Sequence, residues 1–329
     1  MEIGYRTKEG ISMNILAPIN TIESVKLVIE AGADEIYLGA DEGIFNTYSF
    51  TGRGKVSYGN LRVLPSYDDF RNIVIYAHQC GLKINYIANL PYLHNGTFQG
   101  SKIEKEYLKY VERGLELEVD SIVVGDLGLL QSIKDHGYKI NIHASIYFKT
   151  LNSYQLNFLS EFGVTRTCLS YHVTLDEIKQ LVSADIMDIE VVGYLGCSFF
   201  NGACGFLHEL GEGVYNDFDP GIACKNIYTI KDDNELDKVS FDVEMGCALC
   251  SLGILENAGV KALKIVGRDR SCKQMADIVN LYKRTLQLFR EDADMGIPNP
   301  FIDAWWKKVW CSKNKCKYKE NAISKYMVN

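Results

Sequence analysis

Asn14-Ile-Leu-Ala-Pro-Ile-Asn-Thr-Ile-Glu-Ser-Val-Lys-Leu-Val-Ile-Glu-Ala-Gly-Ala-Asp-Glu-Ile-Tyr-Leu-Gly39 changes its hydrophobic period twice in one short stretch. Asn14 to Ala17 is a brief apolar run closed by Pro18 and reads as a buried strand. Thr21 then supplies a helix cap, with Ser24 in the first turn. Ile22, Val25, Val28 and Ile29 form an apolar stripe, and Gly32 stops the helix. Glu35 to Gly39 is the next strand. A strand, a helix and a strand this close together make a βαβ unit, which requires a parallel sheet.

Working outward, the pattern repeats. A polar loop over 41–66 leads to a helix over 67–80 and a strand from Lys83 to Asn89. A helix over 103–118 precedes the strand Ser121–Asp126, and a helix over 127–136 precedes the strand Lys139–His143. Then come a helix over 153–162, the strand Arg166–Ser170, a helix over 174–183 and the strand Asp188–Val192. After a cysteine-rich insertion, a helix over 248–258, the strand Ala262–Val266 and a helix over 272–292 complete the series. Eight strands, each followed by a helix, predict an α/β fold of the (β/α)8 TIM-barrel type with a cysteine-rich insertion after strand 7. A doubly wound open sheet is the alternative, because counting strands does not close them. The implied organisation is an N-terminal extension over 1–12, a barrel domain over 13–295 that includes the insertion 196–250, and a basic C-terminal tail over 296–329.

The chain has 329 residues, 47% hydrophobic and 23% charged, which is ordinary globular composition. No apolar run approaches the roughly 20 residues of a membrane span, and the polar N-terminus is not a signal peptide. A cytoplasmic protein without membrane contact is expected. A net charge of −7 argues against a whole-surface nucleic-acid binder. From Trp305 onward, however, lysines 307, 308, 313, 315, 317, 319 and 325 face a single acid, Glu320. A solvated tail is the expectation there, ahead of RNA contact.

Ten cysteines without a secretion signal point to metal ligation or redox chemistry rather than a disulfide framework. Five fall in or beside the insertion: Cys197, Cys204, Cys224, Cys247 and Cys250. Four thiolates suit tetrahedral zinc or a [4Fe–4S] cluster. Only Cys247 and Cys250 have the tight spacing of a zinc knuckle, so the irregular set leans toward iron–sulfur. Cys80, Cys168 and Cys272 lie inside expected elements and read as buried structural thiols. Cys311 and Cys316 read either as a second small site or as two tail thiols without a role.

In a barrel, chemistry gathers at the C-terminal ends of the strands. Asp126 and His143 lie there and offer an acid/base pair, with loop hydrogen bonding as the ordinary alternative. Arg268, at the end of the last strand, suits a phosphate or carboxylate. His172, Asn89 and Tyr37 are weaker candidates on the same rim, and Arg53 in Thr51-Gly-Arg-Gly54 is a weak anion-binding one. No Gly-x-Ser-x-Gly elbow and no His-Glu-x-x-His occur.

Several of these segments together carry a family resemblance. Asn14-Ile-Leu-Ala-Pro with Glu30-Ala-Gly-Ala-Asp-Glu-Ile-Tyr-Leu-Gly39, Gly125-Asp-Leu-Gly-Leu-Leu130, Ile142-His-Ala-Ser145, Cys197-x4-Gly202-x-Cys204 and Lys264-Ile-Val-Gly-Arg268 resemble, in order, motifs of the collagenase-like peptidase U-32 family. The resemblance runs from about residue 13 to 290. It implies a [4Fe–4S] cluster held by Cys197, Cys204, Cys224 and either Cys247 or Cys250. It also implies oxygen-independent hydroxylation of a tRNA uridine, an rRNA cytidine or a ubiquinone precursor, with prephenate as oxygen donor. Some branches act as pairs of homologous subunits. The sequence departs from the family pattern at Val266, where a Glu is usual, at Tyr171-His172 and at Gly193-Tyr194. An iron–sulfur hydroxylase is therefore expected, acting on RNA, a small aromatic molecule or a peptide. The alternatives are a non-catalytic partner subunit of a homologous enzyme and, last, a peptidase, since a cysteine that binds a cluster is not free to attack a peptide bond.

Overall fold

The structure is a computed structural model that describes residues 12–40, 65–89, 99–194, 227–232, 235–240, 246–267, 270–291, 302–311 and 315–318. Eight strands form one closed parallel barrel: β1 (Asn14–Pro18), β2 (Glu35–Leu38), β3 (Lys83–Ile87), β4 (Ser121–Val124), β5 (Asn141–Ala144), β6 (Val164–Cys168), β7 (Asp188–Tyr194) and β10 (Ala262–Ile265). Closure is made by β1 against β10, with Asn14 opposite Ala262 and Leu16 opposite Lys264. This pairing settles the choice between barrel and open sheet. Two further strands, β8 (Ile227–Asp232) and β9 (Glu235–Ser240), pair antiparallel as a hairpin between β7 and β10, inside the cysteine-rich insertion.

The helices begin where short polar side chains meet orphan N–H groups. α1 (Ile22–Glu30) starts with a full capping box, Thr21 Oγ1 accepting from Ser24 N at 3.1 Å and Ser24 Oγ from Thr21 N at 3.0 Å. Ser66 caps α2 (Tyr67–Gln79) and Ser101 caps α3 (Lys102–Glu116). Asp126 caps α4 (Leu127–His136), Asn152 caps α5 (Ser153–Ser160) and Thr174 caps α6 (Leu175–Ser183). Each cap of this kind is worth about 1 kcal/mol. A 3₁₀ turn, Leu249–Ser251, leads into α7 (Leu252–Ala258), and α8 (Cys272–Glu291) is the long closing helix. None of the described helices is long and apolar enough to cross a membrane.

Most of the core lies between the barrel wall and the helices. A separate small cluster, Leu16, Tyr37, Ile87 and Val123, fills the middle of the barrel. The described part of the C-terminal tail is packed rather than solvated. Ala304–Trp306 and Lys307–Cys311 form two short helical turns, and Trp306, Trp310, Cys311, Cys316 and Tyr318 are all buried. The lysine count hid this apolar content. Cys80 also departs from its expectation: it ends α2 at the surface and is exposed. Cys168 is buried, as expected, and Cys272 is only partly covered.

Candidate active site at the barrel mouth

The barrel floor is polar and tightly hydrogen-bonded, although Arg166 Nε is buried with no partner among the described residues. Glu35, at the start of β2, accepts from Arg166 Nη1 at 2.7 Å and Nη2 at 3.1 Å, from Asn14 Nδ2 at 2.6 Å and from Asn85 Nδ2 at 3.0 Å. Burial alone would push its carboxyl up. The Arg166 hydrogen bonds and charge, with Asn14 and Asn85, overcome that and hold it at about 2. Ser121 Oγ donates to Asn85 Oδ1 at 2.7 Å and stands 3.2 Å from His143 Nδ1. His143 is therefore an interior residue tied to the first position of β4, rather than one at the rim. Burial, seconded by the Arg166 charge, pushes it down to about 3, so its ring is neutral.

One level up, Lys264 Nζ pairs with Glu190 Oε1 at 3.2 Å and lies 4.3 Å from the centre of the Tyr37 ring. Burial works against its charge, yet Glu190 leads the groups that raise it above the ordinary lysine range. Tyr37 OH donates to Ile265 O at 2.9 Å, which uses this rim candidate to brace β10.

At the mouth itself, Asn89 Nδ2 donates to Ser145 Oγ at 3.2 Å. Asn89 Oδ1 is buried without a hydrogen-bond partner among the described residues. It faces Gly125, where an added Cβ would stand 3.0 Å from this oxygen and 2.9 Å from the Tyr147 ring. Glycine there keeps the space between strands β3 and β4 open. Asp126 is committed nearby: its Oδ1 accepts from Leu129 N at 3.1 Å as the cap of α4.

The chain's far end reaches the opposite side of the mouth. Lys317 Nζ donates to Val192 O and lies 5.2 Å from the Tyr171 ring and 5.3 Å from the Tyr318 ring. Burial lowers this amine to about 8, against a small upward effect of Cys168. The sequence held one signal for Lys317, the aromatic and cysteine residues interleaved with the tail lysines.

Cys247 sits where these pieces join. It bridges Tyr194, the last residue of β7, on one side and Cys316 on the other. Trp306 Nε1 donates to its Sγ at 3.4 Å, and Cys250 lies one turn further on. Burial pushes the Cys247 thiol up to about 12. Gly193 and Tyr194 have structural reasons for being as they are. A Cβ on Gly193 would meet Leu263 at 2.6 Å, and Tyr194 packs on Trp306 at 5.7 Å and Trp310 at 5.5 Å between ring centres. Cys197, Cys204, Cys224, Arg268 and Arg53 lie outside the described residues. His172 lies on the loop after β6. Among the described residues, no three His, Cys, Asp or Glu side chains converge as a metal site.

The model of Peptidase family U32 matches residues 20–318. The chain is 26% identical over 286 residues to the 23S rRNA 5-hydroxycytidine C2501 synthase of Escherichia coli, covering 85% of this chain and 40% of that protein. It is 23% identical over 341 residues to tRNA hydroxylation protein P of Haemophilus influenzae, covering 86% of this chain and 68% of that protein. It thus spans well under half the length of the first relative. The solved structure of the U32 peptidase Mk0906 superposes with a TM-score of 0.51 at 13% identity, covering 80% of this chain and 96% of that one, and shares the fold.

Proposed function

The chain belongs to peptidase family U32, and from that membership we propose that it is an RNA-modifying enzyme of the oxygen-independent hydroxylase kind. The observation that carries this reading is the likeness to relatives named for RNA hydroxylation, which extends over 85% and 86% of the chain. The mouth supports it chemically. A base turned into the barrel would meet the spare acceptor Asn89 Oδ1, the Ser145 hydroxyl and the Lys317 amine. A cytoplasmic location goes with such a substrate. A quinone precursor or a peptide is the alternative substrate class.

The cofactor in this reading is a [4Fe–4S] cluster on Cys197, Cys204, Cys224 and Cys247 or Cys250, with zinc as the alternative metal. The described part of the donor set fits. Cys247 is a buried thiol that already receives an indole N–H, the kind of outer hydrogen bond that orients a metal-bound sulfur. When bound, such a cluster supplies electron transfer or a Lewis-acidic iron. The chain's own residues then orient the substrate, with Asn89 and Ser145 on one wall and Lys317 on the other, and exclude water.

A hydrolytic reading finds no support among the described residues. Ser121 and His143 are a serine–histidine pair, but the hydroxyl donates to Asn85 and the ring is neutral and enclosed.

The test is anaerobic incubation of the purified protein with unmodified RNA and prephenate, the oxygen donor the resemblance implies, followed by nucleoside mass spectrometry. A nucleoside that gains one oxygen supports the reading. An iron- and sulfide-replete protein that modifies none of tRNA, rRNA or a quinone precursor overturns it. One observation favours a second reading, that of a partner subunit: Asp126 and His143 are both committed to structural bonds. In that case activity requires a homologous chain, and substituting Asn89 and Lys317 leaves the assembled complex active.

A further inference from the structure

The charges inside the barrel do not balance at the mouth. Arg166 is neutralised by Glu35 through two hydrogen bonds, and Lys264 pairs with Glu190 at 3.2 Å. Lys317 has no such carboxylate. Among the described residues it enters no ion pair, and no acid acts on its amine. Its Nζ donates one hydrogen bond, to the neutral carbonyl Val192 O. The rings of Tyr171 and Tyr318 stand 5.2 and 5.3 Å away. Ring faces attract a cation weakly but do not cancel its charge. An ammonium carries three N–H donors, so two of them have no oxygen acceptor among the described residues.

Cys168 shares this corner, opposite Glu190 in the register of β6 and β7. As a thiolate it would neutralise Lys317. Burial, seconded by the Glu190 charge, pushes its thiol well above the ordinary cysteine range, so it stays an S–H. Glu190 itself is already taken by Lys264. One positive charge is therefore left over among the described residues here. Holding an ammonium in a protein pocket without a counterion is costly, and a bound anion removes that cost. Lys317 is only partly covered, so a ligand that enters the mouth reaches it.

We propose that Lys317 is an anion-binding residue of the mouth, and that its ligand is a singly charged oxyanion, a carboxylate or a phosphodiester. A compact ammonium suits one oxyanion as a point charge, without the fork by which arginine grips two oxygens at once. With Lys264 already neutralised, a single excess charge matches a monoanion. The Tyr171 and Tyr318 rings offer a flat wall to the rest of the ligand. The inference rests on the proposed function only in taking the mouth as the place where substrate enters; the charge imbalance stands without it.

The experiment titrates uridylyl-uridine and benzoate, with uridine and benzamide as their uncharged counterparts, into the full chain by calorimetry at constant ionic strength. The wild type should bind at least one of the two anions and prefer it to its uncharged counterpart. Lys317→Met should weaken that binding about 10- to 100-fold, the loss of a charged hydrogen bond, and Lys317→Arg should restore most of it. Binding of uridylyl-uridine alone assigns the site to the RNA backbone, benzoate alone to a free small carboxylate, and mutual competition to either through one site. No anion binding by the wild type, equal affinity for the uncharged counterparts, or undiminished binding by Lys317→Met overturns the proposal. The wild-type comparison needs no variant and so decides the matter even where Lys317→Met does not fold. Anion binding in a chain that hydroxylates nothing sinks the functional reading instead and leaves this one standing.

Discussion

Arg166 and Glu35 meet across the full width of the barrel floor through two hydrogen bonds, 2.7 and 3.1 Å long. Their strands, β6 and β2, lie opposite each other in the closed sheet rather than side by side. The pair is thus a strut through the barrel axis, with both ends buried.

Cutting this strut from one side strands a charge. Arg166→Met or Glu35→Gln alone should cost about 3–5 kcal/mol, and the double variant should cost less than the sum. Urea unfolding of the three variants measures this, and strictly additive losses would refute the coupling.

Acid should remove stability in two steps. His143 is held at about 3 against an ordinary 6.5, so its contribution is complete above pH 6.5 and is lost as pH falls toward 3. Glu35 is held at about 2 against 4.5, and adds its loss only below pH 4.5. His143→Gln should therefore flatten the decline between pH 6.5 and 4.5 and leave the lower one in place. Denaturation midpoints across a pH series report both.

Lys317 works in the other direction. Its amine is held at about 8 against 10.5, so its charge costs stability below pH 8, and the cost is relieved as pH rises from 8 to 10.5. Lys317→Met should stabilise the protein at pH 7 by about 1 kcal/mol and abolish that alkaline gain. In the proposed function it should also lower hydroxylated-nucleoside yield, a trade between stability and activity that calorimetry and mass spectrometry read separately.

Asn89 offers the cleanest split between fold and chemistry. It makes one hydrogen bond, to Ser145, and its Oδ1 has no partner among the described residues. Asn89→Ala should change the melting temperature little and reduce turnover about 10²-fold. A large stability loss with unchanged activity would identify Asn89 as a wall residue only.

Trp306→Phe keeps an aromatic ring against Tyr194 and removes the N–H that reaches Cys247. Metal affinity should fall about tenfold or more, the usual effect of losing an outer hydrogen bond. A chelator-competition assay checks it.

The strands and helices were legible because apolar runs, caps and glycines mark them locally, from Thr21 and Gly32 onward. Closure was not, because Asn14 and Ala262 meet only when the whole chain has turned once around. The polar interior was hidden for a related reason. Glu35, Asn85, Ser121 and Arg166 each interrupt an apolar strand, and nothing local says that they face one another. Asp126 carries two signals at once: its position at a strand's end suggests chemistry, and its place just before Leu127 makes it a helix cap. The tail misled because seven lysines outvote three tryptophans by count, although two of those tryptophans are buried.

Trp306 and Lys317 are translated after every barrel strand, yet Trp306 packs against Tyr194 and Tyr282, and Lys317 reaches Val192 at the mouth. During synthesis, then, Tyr194 and Tyr282 emerge before the indole that packs on them. Completion of the mouth is a late event in the life of each molecule. A ribosome that stalls or a protease that trims before Trp306 would leave Tyr194 and Tyr282 without that aromatic cover.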